Sequence, residues 1–287
     1  MKNYKGIIYA LLSSAAFGLS PIFAKYAYQY GSNPTSVLMF RFLFAGIMLF
    51  IYLKLKKINI KISKKQLGIL MLIGVLGYTI TTQTLFMSYI PLGAGLATTL
   101  HFIYPALVCV MSFFFFKEKI SKTKLLSLIL AGLGVYSLVA FETKSLDTLG
   151  VALALISGVA YAINIIALGL KTVTPLDNRV ATMYVSFGAS IGMMIYGMFS
   201  KSMVLDFNIH IATAYICLSL ISTIVAIILF LKAIQTIGPT STSILATFEP
   251  IVSIIFGIII FGESLTYSLI IGAILIIIST IILAKEK

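Results

Sequence analysis

The residues best suited to chemistry are a few ionisable side chains inside long apolar stretches. Glu249 lies beside Pro250, about halfway along one such stretch. In a membrane helix a buried charge costs about 2.5 to 3.5 kcal/mol, so its presence requires a reason. Because proline removes a backbone donor and disturbs the preceding turn, nearby carbonyls are free to face a cavity. Glu249 is therefore predicted to bind a substrate amine or exchange a proton, with a structural hydrogen-bond role as the alternative.

A second proline-containing segment carries a histidine. His101 precedes Tyr104 and Pro105. These two residues occupy the same place in their apolar stretch as Glu249 and Pro250 do in a later one. Histidine titrates near physiological pH, so His101 is a candidate for proton coupling. The alternative is a packing role.

Two cations lie toward the ends of the first two apolar stretches. Lys25 is near enough to an end for its long side chain to reach the interface, which favours a structural interpretation. Arg41 is deeper, between Phe40 and Phe42. We expect Arg41 to bind carbonyls of another helix or to hold a gate, and contact with a substrate carboxylate is the third option.

Hydroxyl, amide and aromatic groups complete the candidate site. Tyr78 and Thr82 share a helical face at a spacing of four, as do Ser219 and Thr223. Such residues also favour close helix packing, so only some are expected to line a path. The remaining candidates for substrate binding or coupling are Tyr104, Ser13, Phe17, Tyr161 and Asn164, and the expected bends are at Gly18, Pro21, Pro105 and Pro250.

Composition identifies the elements that position these groups. The 287 residues are 60% hydrophobic and only 10% charged, which predicts a membrane protein. Apolar runs of roughly 20 residues suffice to cross a bilayer. Ten are predicted, at 6–28, 34–53, 66–89, 93–116, 121–141, 147–170, 179–200, 210–232, 238–261 and 264–284. The net charge of +13 comes from lysines between these runs, without the aromatic-interleaved patches typical of nucleic-acid binding, which excludes that class.

The second half of the chain repeats the first. At an offset of 144 or 145 residues the recurring pairs are Gly6 and Gly150, Ala10 and Ala154, Ser13 and Ser157, Gly93 and Gly238, Pro105 and Pro250, and Glu118 and Glu263. This period predicts two membrane units, at 1–141 and 147–287, joined by a polar link from Glu142 to Asp147.

The basic residues predict the orientation. With the amino terminus in the cytoplasm, 17 of the 21 lysines and arginines lie on the inner side. The outer side keeps Lys25, Arg41, Lys144 and Lys201. The positive-inside rule then places both termini in the cytoplasm. Because five spans per unit is an odd number, the second unit is inverted, as in many secondary transporters.

Several of these segments together resemble the drug/metabolite transporter superfamily, specifically its EamA-type ten-helix branch. The resemblance covers the whole chain and rests on short motifs in order: Phe23-Ala24-Lys25-Tyr26, Arg41-Phe42-Leu43, the paired segments 93–105 and 238–250, Phe248-Glu249-Pro250 and Gly262-Glu263. It implies inner-membrane carriers that export amino acids and other metabolites through a cavity lined by helices 1, 3, 4, 6, 8 and 9. Glu249 and Arg41 match positions typical of that branch, whereas His101 is not a general feature of it. Tyr104 stands where the second unit has Glu249, so the charge is not duplicated.

Together these features predict an all-α secondary transporter in the cytoplasmic membrane, with alternating access and a small-molecule substrate. Amino acids are the first expectation, and drugs, quaternary amines or nucleotide sugars are the alternatives. Proton coupling is left open, as is the choice between monomer and homodimer, and no cofactor or metal is expected. The sequence has no His-Glu-x-x-His motif or paired aspartates within spans, which disfavours an enzyme. A non-transporting receptor or scaffold stays as the other class.

Overall fold

The computed structural model describes residues 2–92, 97, 100–137, 147–261 and 267–285, and these ranges are helical apart from the connections. The first unit comprises α1 (Lys2–Gly18, continued by Ser20–Gln29), α2 (Pro34–Leu55), α3 (Lys64–Leu72, Ile73–Tyr78 and Thr79–Leu92), α4 (Tyr104–Phe116, preceded by residues 100–103) and α5 (Lys122–Ser137). The second comprises α6 (Thr148–Leu168), α7 (Asn178–Ser200), α8 (Ile209–Ser219, Leu220–Val225 and residues 226–237), α9 (residues 239–246, then Glu249–Phe261) and α10 (Tyr267–Ala284). Gly238, at φ 80°, separates α8 from α9.

This arrangement confirms the predicted all-α membrane fold with ten helices in two inverted units. Six helices of the described chain have the length and hydropathy needed to cross a membrane, and shorter apolar helices cover Tyr104–Phe116, Glu249–Ile260 and Ile270–Ala284. Some predicted features lie outside the described residues, namely Gly93, Lys144, Gly262, Glu263 and the link at 142–146.

Polar side chains begin several helices where the chain enters the apolar layer. Asn33 and Asn208 accept hydrogen bonds from the first turns of α2 and α8, and Asp147 does so for α6. Ser63 forms a reciprocal capping pair with Gln66 at the start of α3. These bonds satisfy amide groups that no helical carbonyl reaches, so polar positions between the spans determine where the helices start.

The helix packing follows the internal repeat. In the first unit α1 packs along α8, and the equivalent helix of the second unit, α6, packs along α3. The matched helices α2 and α7 pack on each other, as do α5 and α10. Every main contact therefore joins one unit to the other, and the core lies along the interface between units.

Matching hydrogen bonds reproduce this symmetry at the level of single atoms. Ser13 Oγ donates to the carbonyl of Ala226 at 2.8 Å, and Ser157 Oγ donates to the carbonyl of Thr81 at 2.8 Å. Both donors and both acceptors are repeat partners in the sequence. Serine here serves to attach the first helix of each unit to the third helix of the other.

One π-helical turn interrupts the third helix of each unit, at Ile73–Tyr78 in α3 and at Leu220–Val225 in α8. The sequence analysis did not predict them. A π turn widens the helix and leaves carbonyls available to other partners, and it is frequent at functional sites. The matched positions of these turns make them part of the repeated architecture.

We expect Gly74→Ala to destabilise the protein. A Cβ at Gly74 would lie 2.5 Å from the carbonyl oxygen of Val185 and 2.7 Å from the amide nitrogen of Ala189, both backbone atoms of α7. The added methyl group would force α3 and α7 apart, and such overpacking lowers the free energy of unfolding by about 1 to 3 kcal/mol. Thermal unfolding of the purified protein in detergent measures the effect. Gly132→Ala is the matched control, since no atom lies within 4 Å of its Cβ position; an equal melting temperature for both variants would contradict the argument.

Candidate functional site

The repeated proline segments break their helices at the same repeat position. The helical pattern of α4 is interrupted at Phe102 and Ile103 and resumes at Tyr104, and that of α9 is interrupted at Thr247 and Phe248 and resumes at Glu249. Pro105 and Pro250 follow directly, both buried. Because proline has no backbone N–H, it cannot continue the bond pattern of the turn before it. Tyr104 and Glu249 therefore each begin the second half of a broken helix.

The first helix is also broken, at Leu19, two residues before Pro21. Its break meets that of α9: a Cβ at Gly18 would lie 2.7 Å from the backbone oxygen of Glu249. The hydroxyl of Ser253 donates to the carbonyl of Gly18 at 2.8 Å. Glycine at position 18 thus permits α1 to reach the backbone of α9 at the candidate carboxylate.

Glu249 lies about halfway along α9 and is half-buried. Its carboxyl group has no hydrogen bond or ion pair with any residue that the structure describes. It is within electrostatic range of Arg41, Tyr104 and Tyr161. The geometry leaves this carboxyl available to a ligand.

Arg41 is buried and held by three hydrogen bonds. Its Nε donates to Thr223 Oγ1 at 3.0 Å, Nη1 to Ser20 Oγ at 2.9 Å and Nη2 to the carbonyl of Ser222 at 2.9 Å. Its own carbonyl accepts from Ser219 Oγ at 2.9 Å. Arg41 of α2 therefore joins the second segment of α1 to the π turn of α8, consistent with the predicted binding of another helix's carbonyls.

His101 belongs to a buried polar chain. Its Nδ1 lies 2.8 Å from Ser157 Oγ, which also donates to the carbonyl of Thr81. Asn164 Nδ2 donates to Thr81 Oγ1 at 3.3 Å. His101 thus joins α4 to α6 and α3, and both its interpretations, proton carrier and packing residue, stay open.

Aromatic rings continue from His101 toward α1. The His101 ring lies 5.5 Å from that of Tyr161 and 5.3 Å from that of Tyr104, and the two tyrosine rings are 4.7 Å apart. Phe230 contacts Tyr161 and Phe17, at 6.4 and 6.2 Å. We call Phe17, Tyr104, Tyr161 and Phe230 the aromatic wall. The sequence analysis missed Phe230, because one phenylalanine in an apolar helix carries no distinguishing signal.

Tyr104 has an unusual feature within this wall. The residue is only 1% exposed, and its hydroxyl has no hydrogen-bond partner among the described residues. A buried hydroxyl without a partner is costly, so its retention indicates a missing partner or a functional role. Tyr104 is the repeat equivalent of Glu249, so the two units present an unpaired polar group at the same position.

The other predicted residues divide into two groups. Tyr78 is buried against Phe42, and its carbonyl accepts from Thr82 Oγ1 at 2.7 Å. Ser219 and Thr223 bond to Arg41 and to α8. Lys25 and Pro21, by contrast, are exposed on the second segment of α1. Among the described residues no three histidine, cysteine or acidic side chains are grouped as a metal would require.

Comparison with known proteins identifies the family. The EamA-like transporter family matches residues 4–140 and again residues 148–285. The chain belongs to this family. It is a multi-pass membrane transporter, and the two matches cover nearly all of both units.

The relatives of this EamA-like transporter are similar along almost their whole length. An uncharacterized transporter from Clostridium kluyveri is 24% identical, over 97% of this chain and 92% of its own. The uncharacterized inner membrane transporter YicL of Salmonella typhimurium is 26% identical over 99% and 96%. YvbV, an uncharacterized transporter of Bacillus subtilis, is 30% identical over 85% and 82%.

A solved crystal structure has the same fold. It superposes with a TM-score of 0.80 over 96% of this chain and 95% of its own, at 12% identity. At that identity the likeness concerns the fold alone. The chemistry of the site has to be argued from this chain's own residues.

Proposed function

We propose that this EamA-like protein is a secondary transporter that exports small amine-containing metabolites, amino acids in particular, across the cytoplasmic membrane. One observation carries the proposal. The carboxyl of Glu249 lies at a helix break midway along α9 and is not used by any described hydrogen bond or ion pair. A carboxylate inside a membrane helix marks a substrate or ion pathway by default, because its cost has to be offset by function.

The surrounding groups suit a substrate with both an amine and a carboxylate. An amine bound at Glu249 would supply the opposite charge that this carboxyl lacks. The positive charge of Arg41 and the unpartnered hydroxyl of Tyr104 would face a carboxylate on the same molecule. Because Arg41 is already held by three hydrogen bonds, it acts in this proposal as a fixed charge that a substrate does not displace.

Alternating access would use the helix breaks. Each of α1 and α9 consists of two helical segments joined at a break next to the candidate site, and α4 resumes at Tyr104 after a similar break. Inverted-repeat carriers move one part of the bundle against the other around a central site, and breaks of this kind supply the bends. A proton that replaces the amine on Glu249 after substrate release would keep the carboxyl neutral during the return step.

A quaternary amine is the second candidate substrate. Two rings of the aromatic wall, those of Tyr104 and Tyr161, lie within electrostatic range of the carboxyl, and such rings attract cations by about 0.5 to 2 kcal/mol each. A quaternary amine has no N–H to donate and no need of Arg41. The two candidates therefore differ in whether a carboxylate on the substrate improves transport.

Proteoliposomes loaded with labelled amino acids or with labelled choline distinguish these substrates. We expect efflux of at least one amino acid, with weaker efflux of the amine that lacks the carboxylate. Efflux of choline alone would replace the amino-acid proposal with the quaternary-amine one. Efflux of neither compound, from protein shown to be folded, would contradict both.

The location and orientation are part of the proposal. Both termini would lie in the cytoplasm, with the two units inserted in opposite directions. A reporter fused to the carboxyl terminus is expected to be active only in the cytoplasm. A reporter active outside the cell would reverse the direction of transport proposed here.

A further inference from the structure

Glu118 connects α4 and α9, two of the broken helices, on the side of the membrane that holds the chain termini. It follows directly after Lys117, whose left-handed backbone at φ 53° ends α4. One oxygen of its carboxylate accepts from Lys124 Nζ at 2.6 Å, and the other accepts from Thr240 Oγ1 at 2.9 Å. Thr240 belongs to the first turn of α9, 122 residues further along the chain.

These contacts are sheltered from water. The side chains of Glu118 and Lys124 are 18% and 14% exposed, and Thr240 is 1% exposed. Exposed ion pairs are worth little, because water competes for both charges and salt screens them. A sheltered carboxylate that also accepts a hydrogen bond from a hydroxyl loses more free energy when these contacts break. Gly238 lies next to this carboxylate, since a Cβ there would be in ordinary contact with Glu118 Oε1 at 3.6 Å.

The position of this contact relates it to the candidate site. Glu118 follows the segment of α4 that begins at Tyr104, and Thr240 lies in the segment of α9 that ends just before Glu249. Glu118 and Thr240 therefore hold together the two half-helices that run from the site to one face of the membrane. A solute that passes between α4 and α9 on that side has to separate them.

The repeat does not duplicate this chemistry on the other side. At an offset of 145 residues Glu118 corresponds to Glu263, but Thr240 corresponds to Gly95 and Lys124 to Leu269. The acidic residue recurs in the sequence without the hydroxyl or the ammonium group. The two gates of the transporter are thus predicted to differ in strength.

We propose that Glu118, Lys124 and Thr240 form a clip that holds the cytoplasmic gate closed between α4 and α9. The inference rests on the proposed transport function and adds its regulation: the clip opens once per cycle and favours the conformation that is closed to the cytoplasm. Its removal shifts the resting population toward the cytoplasm-open conformation.

Cys109 provides a built-in reporter. It is 3% exposed, lies on α4 between Tyr104 and Lys117, and is within electrostatic range of Glu118 and Lys124. With Cys217→Ser as the background, Cys109 is the remaining thiol of the chain. Its rate of reaction with a membrane-impermeant maleimide, in inside-out vesicles without substrate, measures opening on the cytoplasmic side.

We expect Thr240→Val and Glu118→Gln each to raise this labelling rate roughly tenfold, the effect of losing one charge-assisted hydrogen bond. Thr240→Val is nearly isosteric and keeps the ion pair, so it tests the clip even if Glu118→Gln folds poorly. Thr242→Val is the matched control, because Thr242 Oγ1 donates to the carbonyl of Gly238 and makes no bond to α4. Its labelling rate should equal that of the background.

Two results would overturn the clip. One is an unchanged labelling rate in both variants. The other is an equal rise in right-side-out vesicles, which would indicate general loosening of the helices instead of a one-sided gate. Because no substrate is present, either result leaves the amino-acid proposal to its own efflux assay.

Discussion

Glu249→Gln is expected to reduce efflux of the transported amine roughly 10- to 100-fold, since a hydrogen bond to a charged group contributes about 1.5 to 3 kcal/mol. Glutamine keeps the size of the side chain and one acceptor oxygen, replaces the other oxygen with an amide nitrogen, and removes the negative charge. The loss therefore reports the charge that balances the substrate amine. Initial efflux rates from loaded proteoliposomes, normalised to the amount of folded protein, measure it.

Asp206→Asn is the control for this substitution. It makes the same carboxylate-to-amide change at an exposed position in the connection before α8, outside the helices. We expect wild-type efflux from this variant. Equal efflux from Glu249→Gln and wild type, with the same dependence on a proton gradient, would remove the carboxylate from the mechanism. An equal rate that no longer depends on the gradient would assign the carboxylate to coupling alone.

Arg41→Met is expected to lower the free energy of unfolding by about 2 kcal/mol, because interhelical hydrogen bonds in membranes contribute about 0.6 kcal/mol each on average. The substitution keeps an apolar stem of similar length and removes three bonds that join α2 to α1 and to the π turn of α8. The carbonyl of Ser222 loses its only described side-chain donor. Unfolding by a denaturing detergent, followed by circular dichroism, measures the difference.

The chain offers a symmetry-matched control for Arg41. Ser186 is its repeat equivalent at an offset of 145 residues, and its buried hydroxyl has no hydrogen-bond partner among the described residues. Ser186→Ala thus changes a buried polar residue at the same place in the other unit without removing a described bond. Wild-type stability is expected for it. If Arg41→Met were as stable as Ser186→Ala, the three bonds would have no net effect.

The asymmetry between the two units has a functional consequence. Both units break a helix before a proline, yet one presents Tyr104 and the other Glu249 at that point. Arg41 binds the π turn of α8, whereas in the other unit Ser186 stands at its position and the turn of α3 contains Gly77 beside Asn164. At these matched positions a symmetric backbone therefore carries one carboxyl group and one guanidinium group, the pair that the proposed substrate with one amine and one carboxylate would need.

The positions of the spans and of the helix breaks were predictable from the sequence, because both depend on local properties of the chain. The spans follow from runs of apolar residues long enough to cross a bilayer, and the helix breaks follow from prolines that lack a backbone donor. The breaks of α1, α4 and α9 lie within a few residues of Pro21, Pro105 and Pro250. The predicted start of the ninth span at 238 also agrees with the structure, where Gly238, at φ 80°, separates α8 from α9.

Contacts between distant segments were not predictable in the same way. The π turns of α3 and α8 share no sequence feature that would identify them, since one contains two glycines and the other none, and Arg41 lies 182 residues from Thr223. Three roles for Arg41 were open from the sequence. An arginine in an apolar helix requires polar partners, but the sequence does not identify which residues they are. The fold supplied a carbonyl and two hydroxyls.

The sequence by itself determined that this protein is a membrane protein of ten helices in two repeated units, since length, hydropathy and repetition are properties of the chain alone. Only the tertiary structure decided which polar groups meet in the apolar interior. It placed Glu249 without a partner among the described residues, bound Arg41 to a π turn and joined Glu118 to Thr240. The physical reason is that a polar group in lipid depends on its neighbours, and the turn that binds Arg41 and the threonine that binds Glu118 both come from the other unit of the fold.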